Sequence, residues 1–220
     1  QGADIIDIGA VSSRPGSKII SKKEEFNRLI PMLTVLVKDF NSAIFSVDTY
    51  RSQIAKASID EGAAIINDIS GGKFDPKMLP LVGKNNTVYI AMHMQGSPHN
   101  MQKNPSYKDV TSELLSFFLD KIKSCQLNKI HNVIIDPGFG FGKEINQNFE
   151  ILKNLEIFQE LNVPVLVGFS RKSMIYKSLK IQPVEALNGT SVLNTVALLK
   201  KANILRAVSY THLTLPTISC

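Results

Sequence analysis

The chain has 220 residues, a formal net charge of +6 and a hydrophobic fraction of 44%. This length suits one domain with a sizeable core, and no apolar run approaches the ~18 residues that a membrane span needs. The two cysteines, Cys125 and Cys220, lack the spacing of a zinc site or a disulfide framework, which fits a cytoplasmic protein. Lysine and arginine alternate with acidic residues along the predicted helices, so nucleic acid is not expected as a partner.

Short apolar runs alternate with longer segments of helical periodicity along the whole chain. In chain order we predict a strand at 3–9, a helix at 24–38, a strand at 43–47, a helix at 51–61, a strand at 63–66, a helix at 76–82, a strand at 88–92, a helix at 109–125, a strand at 133–135, a helix at 148–161, a strand at 164–168, a helix at 184–201 and a strand at 203–206. The strands are almost continuously apolar, which indicates a parallel sheet that is covered on both faces.

This alternation predicts an α/β fold of the TIM type, a (β/α)8 barrel that lacks its first strand and its native last helix. Such a barrel typically needs about 250 residues. A doubly wound sheet is the competing fold, but no GxGxxG turn follows the first strand. We expect a preceding segment to be missing, because the chain opens with Gln1 on an apolar run. Residues 1–207 would form the incomplete barrel domain. Residues 208–220 have neither charge nor helical periodicity, and we expect them to be a non-native tail.

Polar residues follow nearly every predicted strand. They are Ser12, Ser13, Arg14, Asp48, Thr49, Asn67, Asp68, His93, Gln95, Asp136, Arg171, Lys172, Ser173 and Arg206. In a (β/α)8 barrel the carboxyl ends of all strands face one mouth, where the active site lies. The pattern therefore predicts an enzyme whose site collects these side chains.

Several of these residues also have a purely structural interpretation. Asp48 could be the N-cap of the helix at 51–61. Asn67 and Asp68 precede two glycines and could serve a turn, and His93 taken alone is more often structural. Capping and turn formation do not explain a polar residue at the end of almost every strand.

Two features near the second half of the chain favour a ligand. The glycine-rich segment 138–142 (GFGFG) could be a plain loop, but we expect two exposed phenylalanines in it, which is unusual without a ligand. Lys172 would begin a helix, where a positive charge opposes the helix dipole. This position favours a functional role for Lys172.

Seven motifs in the chain resemble the dihydropteroate synthase family of pterin-binding barrel enzymes, and the resemblance covers about residues 2–206. In order they are DIIDIGAVSSRPG at 4–16, SVDTY at 46–50, INDISGG at 66–72, MHMQGSP at 92–98, DPGFGFGK at 136–143, GFSRKS at 168–173 and GTSVLN at 189–194. The segments SSRPG, DPGFGFGK and GFSRKS are the most specific of these.

The resemblance implies a transferase of folate biosynthesis that uses Mg2+. Its substrates would be the small molecules 6-hydroxymethyl-7,8-dihydropterin diphosphate and p-aminobenzoate, and its products 7,8-dihydropteroate and pyrophosphate. Sulfonamides would compete with p-aminobenzoate. The full-length protein would form a homodimer, and no membrane partner is expected.

The resemblance also assigns roles to individual residues. The pterin-binding residues would be Asp48, Asn67, Met92, Asp136, Gly168, Lys172 and Arg206. The p-aminobenzoate-binding residues would be Ser13, Arg14, Phe141, Lys172 and Ser173. Asp48, Asp136, Lys172 and Arg206 would be catalytic. No metal ligand is assigned, because the expected asparagine would lie before residue 1.

Two alternatives remain open from the sequence. One is the pterin-binding domain of a methyltetrahydrofolate:corrinoid methyltransferase, which would share the aspartate and asparagine residues but would not need SSRPG or GFSRKS. The other is a degenerate pterin-binding barrel without catalytic activity, which the absence of the metal-binding asparagine and of a diphosphate-binding histidine after Arg206 would allow.

Overall fold

A computed structural model describes residues 2–12, 17 and 19–208. The described strands are β1 (Ile5–Ile8), β2 (Ile44–Asp48), β3 (Ile65–Asp68), β4 (Val88–Met92), β5 (Val133–Asp136), β6 (Leu166–Val167) and β7 (Ile204–Leu205). The helices are α1 (Lys22–Asp39), α2 (Ser52–Asp60), α3 (Met78–Asn85), α4 (Val110–Leu127), α5 (Ile145–Lys153), α6 (Ser173–Leu179) and α7 (Leu187–Leu199). Every predicted strand is found, and β4 has the predicted bounds.

All strand pairs are parallel, as the continuous apolar runs predict. Strands β1 to β5 form one sheet in sequence order, and β6 pairs with β7. A single bridge between Ile135 and Val165 joins the two groups. Parallel neighbouring strands need a long crossover connection, which here contains at least one helix. These helices pack against one face of the sheet, which makes that face the outer one.

The helices differ from the prediction at three places. The segment predicted as one helix at 184–201 consists of a 3-10 helix, Pro183–Glu185, and the separate helix α7. Helix α6 was not predicted, because its seven residues are too few to show a helical period. The segment predicted as one helix at 148–161 consists of α5 and a separate 3-10 helix, Leu155–Leu161. Asn154 ends α5, and its backbone N–H bonds to the carbonyl of Glu150. The apolar spacing continues through this break, which hides it in the sequence.

Most of the core lies between the sheet and the surrounding helices. A second cluster lies on the opposite face of the strands and comprises Ile65, Ile90, Ile134 and Leu166, with Ile5, Val88 and Ile204 packed against it. We call these seven residues the apolar layer. Because inward and outward side chains alternate along a strand, the residues two positions further on also face inward. Among the described helices, none is long and apolar enough to cross a membrane.

Candidate functional site

A layer of charged and amide side chains lies one step above the apolar layer. Four of its members lie two positions after the isoleucines 5, 65, 134 and 204 of the apolar layer, and they are Asp7, Asn67, Asp136 and Arg206. The fifth member is Asp48, which occupies the corresponding position on β2 and pairs in register with Asn67. We call these five residues the polar layer. It combines residues of β1, β2, β3 and β5 with Arg206, which directly follows β7, at the carboxyl ends of the strands, as the strand-end pattern predicts.

Arg206 links the two sides of the polar layer. Its Nη2 donates to Oδ2 of Asp136 at 2.6 Å, and its Nη1 lies 3.7 Å from Oδ2 of Asp7. The Asp136 side chain is 1% exposed, whereas that of Arg206 keeps 25% of its surface accessible. Burial lowers the pKa of Arg206, but the three nearby carboxylates outweigh this effect and raise it. Arg206 is therefore a fixed cation.

Asp7 is the member of the polar layer that the sequence interpretation missed. It accepts a hydrogen bond of 3.1 Å from Nδ2 of Asn67. Burial raises its pKa, and the positive charge of Arg206 opposes the rise. The signal that could have found it is the alternation itself, because an aspartate two residues after an inward isoleucine must also face inward.

Asp48 and Asn67 are neighbouring groups with unusual environments. Burial raises the pKa of Asp48 to about 7, and the negative charge of Asp7 adds to this rise. The side-chain oxygen of Asn67 is buried and, within the described part of the chain, has no hydrogen-bond partner. A buried acceptor without a partner costs free energy, so Asn67 is suited to accept from a bound molecule.

Lys172 and Phe141 form a second group beside the polar layer. Lys172 directly precedes α6, and its Nζ donates to the carbonyl oxygen of Phe139 and lies 4.7 Å from the centre of the Phe141 ring. Burial lowers the pKa of Lys172 to about 7, although Asp136 opposes this shift. This side of the site presents an aromatic face next to an amine.

The two groups border one cavity of about 230 Å³. It is lined by Asp7, Asp48, Ile69, Phe141, Gly168, Ser170, Lys172, Arg206, Ala207 and Val208. Of the residues proposed to bind substrates, Asp48, Phe141, Gly168, Lys172 and Arg206 line it.

Other predicted site residues lie further back or elsewhere. Asp136 and Asn67 are almost completely buried next to the lining residues. Met92 is fully buried in a cluster with Ile69, which packs against Phe141. Ser173 is the first residue of α6 and does not line the cavity. Ser13 and Arg14 lie outside the described residues, and so does the tail from residue 209.

The structure settles the alternative interpretations of three residues. Arg51 is the N-cap of α2, so Asp48 is not a cap. Asp68 serves the following turn, accepting from the backbone N–H of Ser70 at 2.8 Å and of Gly72 at 2.9 Å. His93 is buried, with its ring 4.9 Å from that of Phe117, which is a structural role.

The expectation of two exposed phenylalanines in 138–142 was half wrong. Phe139 is fully buried, and its ring packs 4.5 Å from that of Phe169. Phe141 is partly exposed and faces the cavity. The two rings point in different directions because the loop is a turn and not extended: Gly138 and Gly140 have positive φ angles, and the N–H of Phe141 donates to the carbonyl of Gly138 at 3.0 Å.

A buried ion pair supports the polar layer from outside the barrel. Glu25 of α1 is completely buried, pairs with Arg51 and accepts a 2.7 Å hydrogen bond from Thr49. Nη2 of Arg51 also donates to the carbonyl of Ile20 at 2.8 Å. These contacts join the start of α1 to the residues that directly follow Asp48.

The described residues contain no group of three or more histidines, cysteines, aspartates or glutamates that could hold a metal ion. The carboxylates of Asp7 and Asp136 are both engaged by Arg206. These residues therefore do not form a Mg2+ site by themselves.

Comparisons with known proteins agree with this geometry. The model of the family "Pterin binding enzyme" matches residues 1–207. The dihydropteroate synthase of Escherichia coli strain K12 is 39% identical over 207 residues, which is 93% of this chain and 73% of the relative. The dihydropteroate synthase of Yersinia pestis, solved with a sulfonamide drug complex, has a TM-score of 0.92 at 35% identity, covering 96% of this chain and 77% of that one. The Xanthomonas albilineans enzyme with 4-aminobenzoic acid has a TM-score of 0.89 at 33% identity, covering 96% and 76%.

Parallel strands with external helices and a polar layer at the carboxyl ends of the strands define a TIM-type barrel enzyme. The chain belongs to the pterin-binding enzyme family, and within it to the dihydropteroate synthases, which are transferases of folate biosynthesis. The sequence-based predictions of fold class, family and function are thereby confirmed.

Proposed function

We propose that the polar layer binds 6-hydroxymethyl-7,8-dihydropterin diphosphate and that Phe141 and Lys172 bind p-aminobenzoate beside it. The observation that carries this assignment is the arrangement of one cavity with two chemically different sides. One side holds carboxylates, an amide and Arg206, and the other holds an aromatic ring with an amine over it.

The polar layer suits the edge of a pterin ring. That edge carries an amino group and ring N–H donors next to acceptors, and carboxylates pair with such donors by strong charge-assisted hydrogen bonds. Asp48 and Asp136 would accept from these donors. The free acceptor of Asn67 would take a further N–H, and Lys172 would donate to a ring acceptor.

The reaction exchanges one bond for another at the methylene carbon of the pterin. The C–O bond to diphosphate breaks, and its electron pair leaves with the diphosphate. The aromatic amine forms the new C–N bond with its lone pair and then releases a proton to water. Electron donation by the pterin ring gives the methylene carbon cationic character, which Asp48 and Asp136 would stabilise while Arg206 stabilises the departing diphosphate.

The p-aminobenzoate side needs different chemistry. The ring of Phe141 offers a flat apolar face for the aromatic amine. The ammonium form of Lys172 would offer a positive charge to a carboxylate. Ser173, Ser13 and Arg14 are proposed for the same pocket on the resemblance alone, and Met92 would support the ring of the pterin from below.

Mg2+, a cytoplasmic location and a homodimeric full-length protein are further parts of the proposal. They are supported by the family resemblance. Because the described residues do not hold Mg2+ by themselves, the roles given above involve only side chains of this chain. Mg2+ would screen the charge of the diphosphate when it is bound.

A pyrophosphate-release assay on the full reading frame that contains this chain tests the proposal. With the pterin diphosphate and Mg2+ supplied, we expect pyrophosphate release only when p-aminobenzoate is added, and inhibition by a sulfonamide that p-aminobenzoate relieves. Pterin binding without any turnover would support a degenerate binding barrel. Methyl transfer from methyltetrahydrofolate to a corrinoid would support the methyltransferase alternative.

A further inference from the structure

The loop 138–142 follows β5 and adopts no regular secondary structure, yet its path is narrowly defined. Gly138, Gly140 and Gly142 have φ angles of 69°, 78° and 61°, a region that side chains disfavour. A Cβ at Gly138 would lie 2.1 Å from the carbonyl oxygen of His93, and one at Gly142 would lie 2.6 Å from that of Gln95. The loop therefore runs directly against the segment between β4 and α4.

Every carbonyl of this loop accepts a hydrogen bond from a side chain outside it. Lys143 donates to the carbonyl oxygens of residues 138 and 141, at 3.1 Å and 3.0 Å. Lys172 donates to the carbonyl oxygen of residue 139. Gln102 donates to that of residue 140 at 2.6 Å, and Tyr107 to that of residue 142 at 2.7 Å. A loop of irregular backbone normally lies at the surface, because its polar groups need partners. Here the partners are side chains from three separate segments.

Lys143 is the central donor. It is 3% exposed, and its Nζ also lies 3.3 Å from the carbonyl oxygen of His93 and 3.1 Å from Nδ1 of that ring. Burial lowers the pKa of the Lys143 amine, and Asp136 opposes this shift. The three carbonyl oxygens can only accept, so they favour the protonated amine, which supplies three N–H donors. Lys143 thus ties the segment after β4 to the loop after β5.

This loop fixes the relation between Phe141 and Lys172. The carbonyl oxygen of Phe139 accepts a hydrogen bond from Nζ of Lys172. Two residues later, the centre of the Phe141 ring lies 4.7 Å from the same Nζ. A shift of the loop would move the aromatic face and the amine together. It would disturb the polar layer less, because Asp7, Asp48, Asn67 and Asp136 lie on strands and the loop reaches that layer through one hydrogen bond, from the N–H of Gly138 to Asp136 at 2.7 Å.

We propose that Lys143, Tyr107 and Gln102 are positioning residues for the second substrate. They hold the loop 138–142 so that Phe141 and Lys172 form the pocket for the aromatic amine, and their effect on that pocket exceeds their effect on pterin binding. This inference rests on the proposed function.

Tyr107→Phe and Gln102→Ala test it on the full reading frame, because each removes one donor from a partly or fully exposed side chain. A single hydrogen bond of this kind corresponds to a roughly threefold to tenfold change in an equilibrium constant. We expect the KM for p-aminobenzoate and the inhibition constant of a sulfonamide to rise by that factor. The affinity for the pterin diphosphate, measured without p-aminobenzoate, should stay within about twofold.

Tyr89→Phe is the matched control. It also removes a tyrosine hydroxyl, one that donates to Asp68 at 2.9 Å and to no carbonyl of the loop. It should lower Tm without changing either substrate constant. Lys143→Met should show the largest rise in KM if it folds, but Tyr107→Phe and Gln102→Ala decide the question without it.

The outcomes separate two failures. If the parent protein does not release pyrophosphate, the proposed function fails. If the parent turns over but Tyr107→Phe and Gln102→Ala weaken pterin and amine equally, or behave like Tyr89→Phe, the positioning role is overturned.

Discussion

The polar layer and the loop 138–142 border the same cavity but are built in opposite ways. The polar layer lies on parallel strands, and its positions follow from the alternation of inward and outward side chains. The loop has no ladder of its own and is held by side chains from other segments. The comparison teaches that the charged half of the site is fixed by the barrel itself, whereas the aromatic half is fixed by neighbouring loops.

The two halves also differ in their electrostatics. The polar layer carries three carboxylates around Arg206, so its charges are partly neutralised within the protein. On the loop side, Lys172 has no carboxylate hydrogen-bonded to it in the described structure and donates to a carbonyl instead. The polar layer suits a reaction that develops positive charge on the methylene carbon of the pterin. The loop side suits the carboxylate group of the second substrate.

The largest effect is expected from breaking the polar layer at Asp136. Asp136→Asn keeps the size of the side chain but removes the charge that pairs with Arg206 at 2.6 Å. We expect kcat to fall by roughly 100-fold to 1,000-fold, because a preorganised charge at the reacting centre is lost. We also expect the free energy of unfolding to fall by about 3 kcal/mol, the low end for a broken buried pair, since Arg206 is partly exposed.

Steady-state kinetics and urea unfolding measure both effects. Asp120→Asn is the control, because Asp120 is an exposed aspartate on α4. An Asp136→Asn variant with kcat within about threefold of the parent would contradict the assignment of this residue.

A smaller effect is expected from titrating Lys172 on the loop side. Its pKa is lowered to about 7, so the ammonium form dominates below pH 7 and is lost as the pH rises above it. The affinity for the carboxylate of p-aminobenzoate should therefore fall as the pH rises from 7 to 9, approaching tenfold per unit. The affinity for the pterin diphosphate should follow a different pH profile, because Arg206 stays charged over this range while Asp48, whose pKa is raised to about 7, loses its proton.

Lys172→Arg provides the comparison, because arginine keeps its charge throughout the range. The informative quantity is the slope of log Kd against pH, not the absolute affinity of the variant. Equal slopes for the parent and Lys172→Arg would show that Lys172 does not provide the charge.

Much of the polar layer could be predicted from the sequence, for a physical reason. Asn67, Asp136 and Arg206 lie at or directly after the ends of strands whose apolar runs are easily recognised, and the carboxyl ends of parallel strands converge. Asp7 escaped because it lies inside an apolar run, where its neighbours dominate the pattern. Its role became visible only through its contacts with Asn67 and Arg206.

The loop side was less predictable. GFGFG indicates a special backbone, but it does not say which phenylalanine is buried, and both had been expected at the surface. The donors to the loop carbonyls come from residues up to 38 positions away, so no local pattern connects them. Helix α6, which begins next to Lys172, was missed because it is short.

The most direct test of the central claim is a calorimetric titration of the pterin diphosphate, with Mg2+ and without p-aminobenzoate. It compares the parent protein with Asp48→Asn in the polar layer and Phe141→Ala in the loop. We predict that Asp48→Asn weakens binding by at least about tenfold, the value of one hydrogen bond to a charged group, and that Phe141→Ala stays within about twofold. Equal losses in both variants would contradict the division of the cavity into a strand-borne pterin side and a loop-borne amine side.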